Sequence, residues 1–320
     1  MAGLSEDGPS ESHPGRELFD PGPWLRAQSD HVVELAGLCA DLGRLDERLH
    51  RGPAGWRQRL ALAEAVGLSW WAGDRIGAEQ LSLWQAARLS GPDEDALGLA
   101  RAGWALRRLS SGPEPAADPG LFLERAGAGD PGTSDPIADD LAEVLEGTEG
   151  LHPVVAAARL FHLWKRRGPV GPAAMIEAAV LAMRVARPRP IGVEQGLIFL
   201  PLARRSTLAL TSSGPPSNRL AAWLQQAHQA VRSALSETDR LLSWEEIVRQ
   251  RVEPRPGGSL DAVIHLLRDW PLVSAPMAEA QTGSSRATVQ RHLALLEAQG
   301  LTREASGQDR YRIWSAAFID

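Results

Sequence analysis

Five polar residues, Ser285, Arg286, Thr288, Gln290 and Arg291, fall close together near the end of the chain, and their types suit hydrogen bonding to the edges of bases. An arginine can read guanine, and a glutamine adenine, through paired hydrogen bonds. A second set, Arg303, Arg310 and Arg312, follows shortly after. Their charge suits phosphate oxygens, where cations displace condensed counterions. Such chemistry requires the first set to stand on a helix that enters a groove and the second on a flanking loop.

Local rules supply those elements. Ser259 is positioned to cap a first helix, in which Leu260, Val263, Ile264 and Leu267 recur on one apolar stripe. Ser274 caps a short second helix with Pro276 in its first turn, and Gly283 ends it where a positive φ costs little. Ser284 or Ser285 caps the third, which turns Val289, Leu293 and Leu296 inward and stops at Gly300. Strand-like segments, Leu301 to Ala305 and Arg310 to Trp314, then flank the turn formers Ser306-Gly307-Gln308-Asp309. Together these are the pattern of a winged helix-turn-helix, and they predict a face for double-stranded DNA. The same scaffold also serves as a protein–protein module, and this one is near neutral: its arginines are balanced by Asp261, Asp269, Glu279, Glu297, Glu304, Asp309 and Asp320. Trp314 and Phe318 are expected to close the core.

The whole chain of 320 residues carries a formal charge of -6, so gross electrostatics do not argue for nucleic acid. The lone Cys39 excludes an intramolecular disulfide framework and fits a reducing cytoplasm. No apolar run reaches membrane-spanning length, so no membrane partner is expected. The basic residues are arginine apart from Lys165, as codon bias in a GC-rich bacterial genome would give.

Residues 1–20 read as a disordered leader, rich in Ser, Gly, Glu and Pro. From 21 to 252 the pattern is all helical. Helices are expected near Trp24 to Leu49, Gly55 to Trp71, Ala78 to Leu89, Asp93 to Leu109, Pro136 to Glu146, Pro153 to Arg167, Pro172 to Val185 and Ser217 to Val252. The last is expected to restart near Ser236, in a Ser-Glu-Thr-Asp cluster. Ser110 to Gly120 and Ala126 to Pro136 read as mobile loops, and Ser212 to Ser217 as a tight connection. Residues 253–258 read as the linker to a domain over 259–320. The expected fold is mostly α, a helical domain followed by a small winged helix-turn-helix.

Catalytic constellations do not assemble. The chain has no GxSxG elbow, Walker loop, HExxH or CxxC, and His152, His162 and His228 lack partners at ligand spacing. The acids Asp135, Asp139, Asp140, Glu143 and Glu146 suit a solvated helix start better than a metal site. No metal and no cofactor are expected.

Scattered positions from about Leu45 onward carry a resemblance: Leu45-Asp46-Glu47-Arg48-Leu49, Glu64-Ala65, Ala78-Glu79-Gln80-Leu81, a middle helix ending near Trp164, and Arg310-Tyr311-Arg312-Ile313-Trp314. The arrangement resembles an uncharacterised bacterial family that joins a helical domain of unknown function to a helix-turn-helix DNA-binding domain. The helical part is also distantly similar to a Fic domain, whose enzymes transfer AMP or related groups to protein hydroxyls. That resemblance implies a catalytic histidine where this chain has Gly168, and a restraining glutamate where it has Ala72; neither is present. No acid, asparagine or closing arginine follows in Pro169-Val170-Gly171-Pro172-Ala173-Ala174-Met175. The reading is therefore a non-enzymatic, cytoplasmic, homodimeric DNA-binding regulator. A divergent Fic-like nucleotidyl or phosphoryl transferase and a protein–protein adaptor are the alternatives.

Overall fold

The computed structural model describes residues 16–85, 95–124, 136–145, 148–167, 171–186, 196–307 and 310–318. These are mostly helical. Of the expected leader, residues 1–15 lie outside this set, but Arg16–Phe19 form a short helix, α1. Packing overrides composition there. Leu18 is buried, its carbonyl accepts the Trp24 indole N–H at 3.2 Å, and the Phe19 carbonyl accepts from Arg159 at 2.8 Å.

The helical body continues as α2 (Pro21–Asp30), α3 (Val32–Arg51), α4 (Ala54–Ala72), α5 (Ala78–Gln85), α6 (Ala96–Ser110), α7 (Pro119–Phe122), α8 (Pro136–Leu145), α9 (Pro153–Arg167), α10 (Pro172–Val185), α11 (Leu208–Thr211) and α12 (Pro216–Val252). Proline opens α2, α8, α9, α10 and α12, where its missing N–H would have no helical partner anyway. α4 packs on α6, α9 on α10 and α12 on α3, around one apolar cluster. No described helix is long and apolar enough to cross a membrane.

Three expectations are corrected in the body. The helix drawn from Trp24 to Leu49 is two, because His31 leaves helical geometry at φ -109° and ψ 25°. The stretch from Ser110 to Gly120 is anchored: the buried Arg184 guanidinium donates to the carbonyls of Arg108, Ser111, Gly112 and Pro113. α12 does not restart near Ser236. The side chains that would cap a new helix are occupied: the Thr238 hydroxyl donates back to the Leu235 carbonyl at 2.7 Å, Glu237 pairs with Arg204, and Asp239 pairs with Arg48 at 2.6 Å. α12 therefore runs unbroken for 37 residues, roughly 55 Å at the usual rise. The loop expected at Ala126 to Pro136 lies outside the described residues except for Pro136, which opens α8.

The C-terminal part adds α13 (Ser259–Asp269), β1 (Val273–Ser274), α14 (Ala275–Thr282), α15 (Arg286–Ala298), β2 (Thr302–Glu304) and β3 (Ile313–Ala316). The strands form one antiparallel sheet in the order β1-β3-β2, with Val273 opposite Trp314 and Thr302 opposite Ala316. β1 was not anticipated, being two residues long and without alternation to betray it. β3 begins later than expected because Tyr311 takes a left-handed φ of 60°, which keeps 310–312 out of the ladder.

A second apolar cluster holds this part together, including Val263, Ile264, Leu267, Val289, Leu293, Leu296, Leu301 and Trp314. It also contains Trp244 and Val248 from α12. The clusters thus part inside α12, not at 253–258, and the last turns of that helix belong to the C-terminal core. Arg59 of α4 fixes the junction from the other side, donating to the Trp270 carbonyl at 2.7 Å. Burial pushes that guanidinium down to about 10, against the opposing pull of Glu237 and Asp269.

Candidate nucleic-acid interface

α14 and α15 are set by three local devices. The Ser274 hydroxyl accepts the Met277 N–H at 3.3 Å, Gly283 turns the chain at φ 66°, and the Ser285 hydroxyl accepts the Thr288 N–H at 3.3 Å. α13 departs from its expected cap. Gly258 takes that position, the Asp261 carboxylate accepts the Gly257 N–H at 2.9 Å, and Ser259 instead meets His292 Nε2 at 2.8 Å. Asp261 also pairs with Arg249 of α12 at 2.6 Å. The start of α13 is thereby tied to α12 and to the middle of α15.

Four of the expected contact residues line one groove of about 700 Å³ between α15 and the hairpin: Arg286, Gln290, Arg310 and Arg312. Arg286 stands at the first position of α15, its side chain 66 % exposed and its Nε 3.7 Å from Glu279. Gln290 and Arg310 are exposed. Arg312 lies with its guanidinium carbon 5.0 Å from the Trp314 ring centre, and its Nη2 is 3.5 Å from Glu297. Glu297 also accepts the Trp314 indole N–H at 3.3 Å. Among the described residues the groove is lined by three arginines and one carboxylate, while Arg286 also faces Glu279.

The other four expected residues are placed differently. Ser285 and Thr288 bond to each other, hydroxyl to hydroxyl at 3.0 Å, and hold the helix start. Arg291 is exposed beside the groove. Its charge, after burial itself, lowers the pKa of neighbouring His292. Arg303 turns away: its Nε donates to Ser315 at 3.2 Å and its Nη2 lies 3.6 Å from Glu79 of α5, so it joins the sheet to the body. Strand alternation explains this, since Arg303 and Ser315 are register partners on one face. Sequence reasoning missed Tyr311 and Glu297 in the groove. The signal for Tyr311 was available, as it is the chain's one tyrosine and sits in the hairpin between two arginines.

Histidines without sequence partners acquire spatial ones. His228 Nε2 lies 2.9 Å from Asp41, and His162 Nδ1 accepts from Arg219 at 2.9 Å. His152 Nε2 lies 3.5 Å from Cys39 Sγ. That last pair is not poised as a nucleophile. His152 Nδ1 accepts the Val154 N–H at 3.2 Å, which leaves the ring proton on Nε2, facing the sulfur. Burial raises the thiol pKa and lowers that of the imidazole, so the thiolate–imidazolium state is disfavoured twice. Asp139, Asp140 and Glu143 of α8 are exposed, while Asp135 and Glu146 lie outside the described residues. Among the described residues no group of three or more His, Cys, Asp or Glu could hold a metal ion. Ala72 is the last residue of α4, and Gly168 lies outside the described residues.

No protein-family model matches the chain, and no curated protein matches it in sequence.

Proposed function

We propose that this protein binds double-stranded DNA through a winged helix-turn-helix formed by α13 to β3, with α15 as the recognition helix and the hairpin as the wing. The observation that carries the reading is the groove lined by Arg286, Gln290, Arg310 and Arg312, open to solvent and lined by no described residue of the helical body. A protein module that buried these residues against its own body would leave no such face. Gln290 and Arg286 are assigned to base edges, and Arg291, Arg310 and Arg312 to phosphates. Ser285 and Thr288 act by fixing the helix start.

The role is that of a cytoplasmic transcription regulator. One near-neutral reading head gives modest affinity, so the bound form is a homodimer held through the helical body. That body is read as a Fic-like scaffold without its catalytic residues, serving dimerisation or partner binding. A salt-dependent binding titration on genomic fragments, comparing the native protein with Arg286→Ala and Arg291→Ala, tests the assignment. Arg291→Ala should bind more weakly and with a shallower salt slope, and Arg286→Ala should bind the preferred sequence more weakly. Indistinguishable binding by all three proteins, or none by any, refutes it.

A further inference from the structure

Many cations of the body are neutralised: Arg48 by Asp239, Arg101 by Asp74, Arg204 by Glu237, Arg107 and Arg108 by Glu124. One cluster departs from this. Lys165 and Arg166, at the end of α9, and Arg219, on the first turn of α12, have no carboxylate partner among the described residues. Lys165 and Arg219 meet carbonyls instead. Lys165 Nζ donates to the Leu210 carbonyl at 3.2 Å, with the Trp71 and Phe161 rings at 5.8 and 5.9 Å. Arg219 donates through Nε to the Gly214 carbonyl at 2.7 Å and through Nη1 to the Ser212 carbonyl at 3.1 Å. It also meets His162 Nδ1 at 2.9 Å, which leaves its Nη2 amino group outside all three contacts.

His162 adds to the surplus of donors. Because a guanidinium only donates, Nδ1 of His162 must accept, which puts the ring proton on Nε2. That nitrogen is buried without a partner among the described residues, in a residue only 3 % exposed. Two of the cations also feel the charge of a neighbour. Burial and then Arg219 lower the Lys165 pKa, and burial and then Arg166 lower that of Arg219. The shifted arginines Arg59, Arg101, Arg159, Arg249 and Arg268 all feel an acid that raises theirs. Arg219 is part-buried and Lys165 and Arg166 are exposed, so the repelling cations stand where an anion from solvent can join them and offset the repulsion.

We propose that Lys165, Arg166 and Arg219 form a binding site for the phosphate group of a small phosphate monoester. A dianion matches the accumulated charge better than a carboxylate does. Its oxygens also accept from several directions, as donors arriving from two helices require. The site lies on the helical body, apart from the groove of α15, so it goes beyond the DNA-binding reading and does not depend on it.

Lys165 is the chain's one lysine, which makes the test direct. The full chain is titrated with inorganic phosphate at constant ionic strength, and the acylation rate of Lys165 by an amine-reactive reagent is followed by mass spectrometry. Saturable protection is expected, lowering the rate at least about fivefold. Arg219→Gln should abolish the protection and Arg166→Gln weaken it, while Arg44→Gln, elsewhere on the body, leaves it intact. Arg166 is exposed, so that variant keeps the test valid should Arg219→Gln fail to fold. Absence of protection overturns the proposal, as does protection that survives Arg166→Gln and Arg219→Gln. Equal protection by acetate, or protection by duplex DNA in place of free phosphate, overturns the assignment to a small phosphate monoester.

Discussion

The indole N–H of Trp244 donates to the carbonyl of Leu301 at 2.8 Å, joining the last turns of α12 to the start of the hairpin. Trp244 is buried in the C-terminal cluster, so its ring supports that core while its N–H fixes the direction of β2. Trp244→Phe removes the N–H and keeps most of the apolar area. The Leu301 carbonyl retains a second donor, the Ala317 N–H at 3.0 Å, so it is not orphaned. The loss should stay near the cost of one ordinary hydrogen bond, about 1 kcal/mol. Trp244→Ala also empties the space and should cost ~3–5 kcal/mol. Urea unfolding of the two variants separates these values, and equal losses would contradict the assignment.

Two glycines of α4 sit where no side chain fits. A Cβ on Gly55 would lie 2.7 Å from the Asp269 carbonyl carbon, at the end of α13, and one on Gly67 would lie 2.7 Å from that of Ala203. Both neighbours are backbone and cannot turn aside. Each alanine substitution should destabilise by about 1–3 kcal/mol through overpacking. A Cβ on Gly43, inside α3, would meet no atom of the described residues within 4 Å. There alanine only restricts the unfolded chain and should stabilise by roughly 0.5–1 kcal/mol. Thermal midpoints that move in opposite directions for Gly55→Ala and Gly43→Ala would confirm that packing decides the sign.

Glu64 of α4 is fully buried and accepts the N–H groups of Leu202, at 3.0 Å, and Ala203. Burial pushes its carboxyl up to about 7 from an ordinary value of 4.5, with the backbone hydrogen bonds only partly opposing. The folded chain therefore holds a proton that the unfolded chain releases between those values. Stability falls as pH rises through that window and stays reduced above it, by ~3 kcal/mol. His162 has the opposite sense: burial, then Arg219 and Lys165, lower it to about 3, so it adds stability as pH rises from about 3 to 6.5 and none further above that. Comparison with Glu64→Gln, which keeps the acceptor for both N–H groups, isolates the carboxyl. The difference in urea stability between the two proteins should change by ~3 kcal/mol from about pH 4 to pH 8; a constant difference would show that Glu64 does not titrate there.

How much of this was legible in the sequence depended on whether the deciding forces were local. Ser274, Gly283 and Ser285 act within a few residues of themselves, and the helix ends they set could be read directly. Ser259 could not be read in the same way, because Asp261 competes for the free N–H groups and His292 takes the hydroxyl. Thr238 and Asp239 have the types of capping residues but are occupied by Leu235 and Arg48, so no restart occurs. Arg303 looked equivalent to Arg310 and Arg312 on charge alone. Its direction depends on the strand register and on Glu79, which lies far away in sequence.

That difference among the arginines yields the sharpest prediction for DNA binding. Neutralising a residue that contacts phosphate should reduce the slope of log affinity against log salt by about 1. Arg310→Ala and Arg312→Ala, which remove charge from the groove, should each do so on any duplex. Arg286→Ala should lower affinity most on the preferred sequence, because a base contact is worth about 1–3 kcal/mol of discrimination. Arg303→Ala should leave the slope unchanged, since its partners are Ser315 and Glu79 and the groove does not include it. It should instead loosen the seam between hairpin and body, raising hydrogen exchange in β2. Slopes measured by fluorescence anisotropy across a salt series decide the matter: an Arg303→Ala slope as shallow as that of Arg310→Ala would place DNA on the opposite face of the sheet.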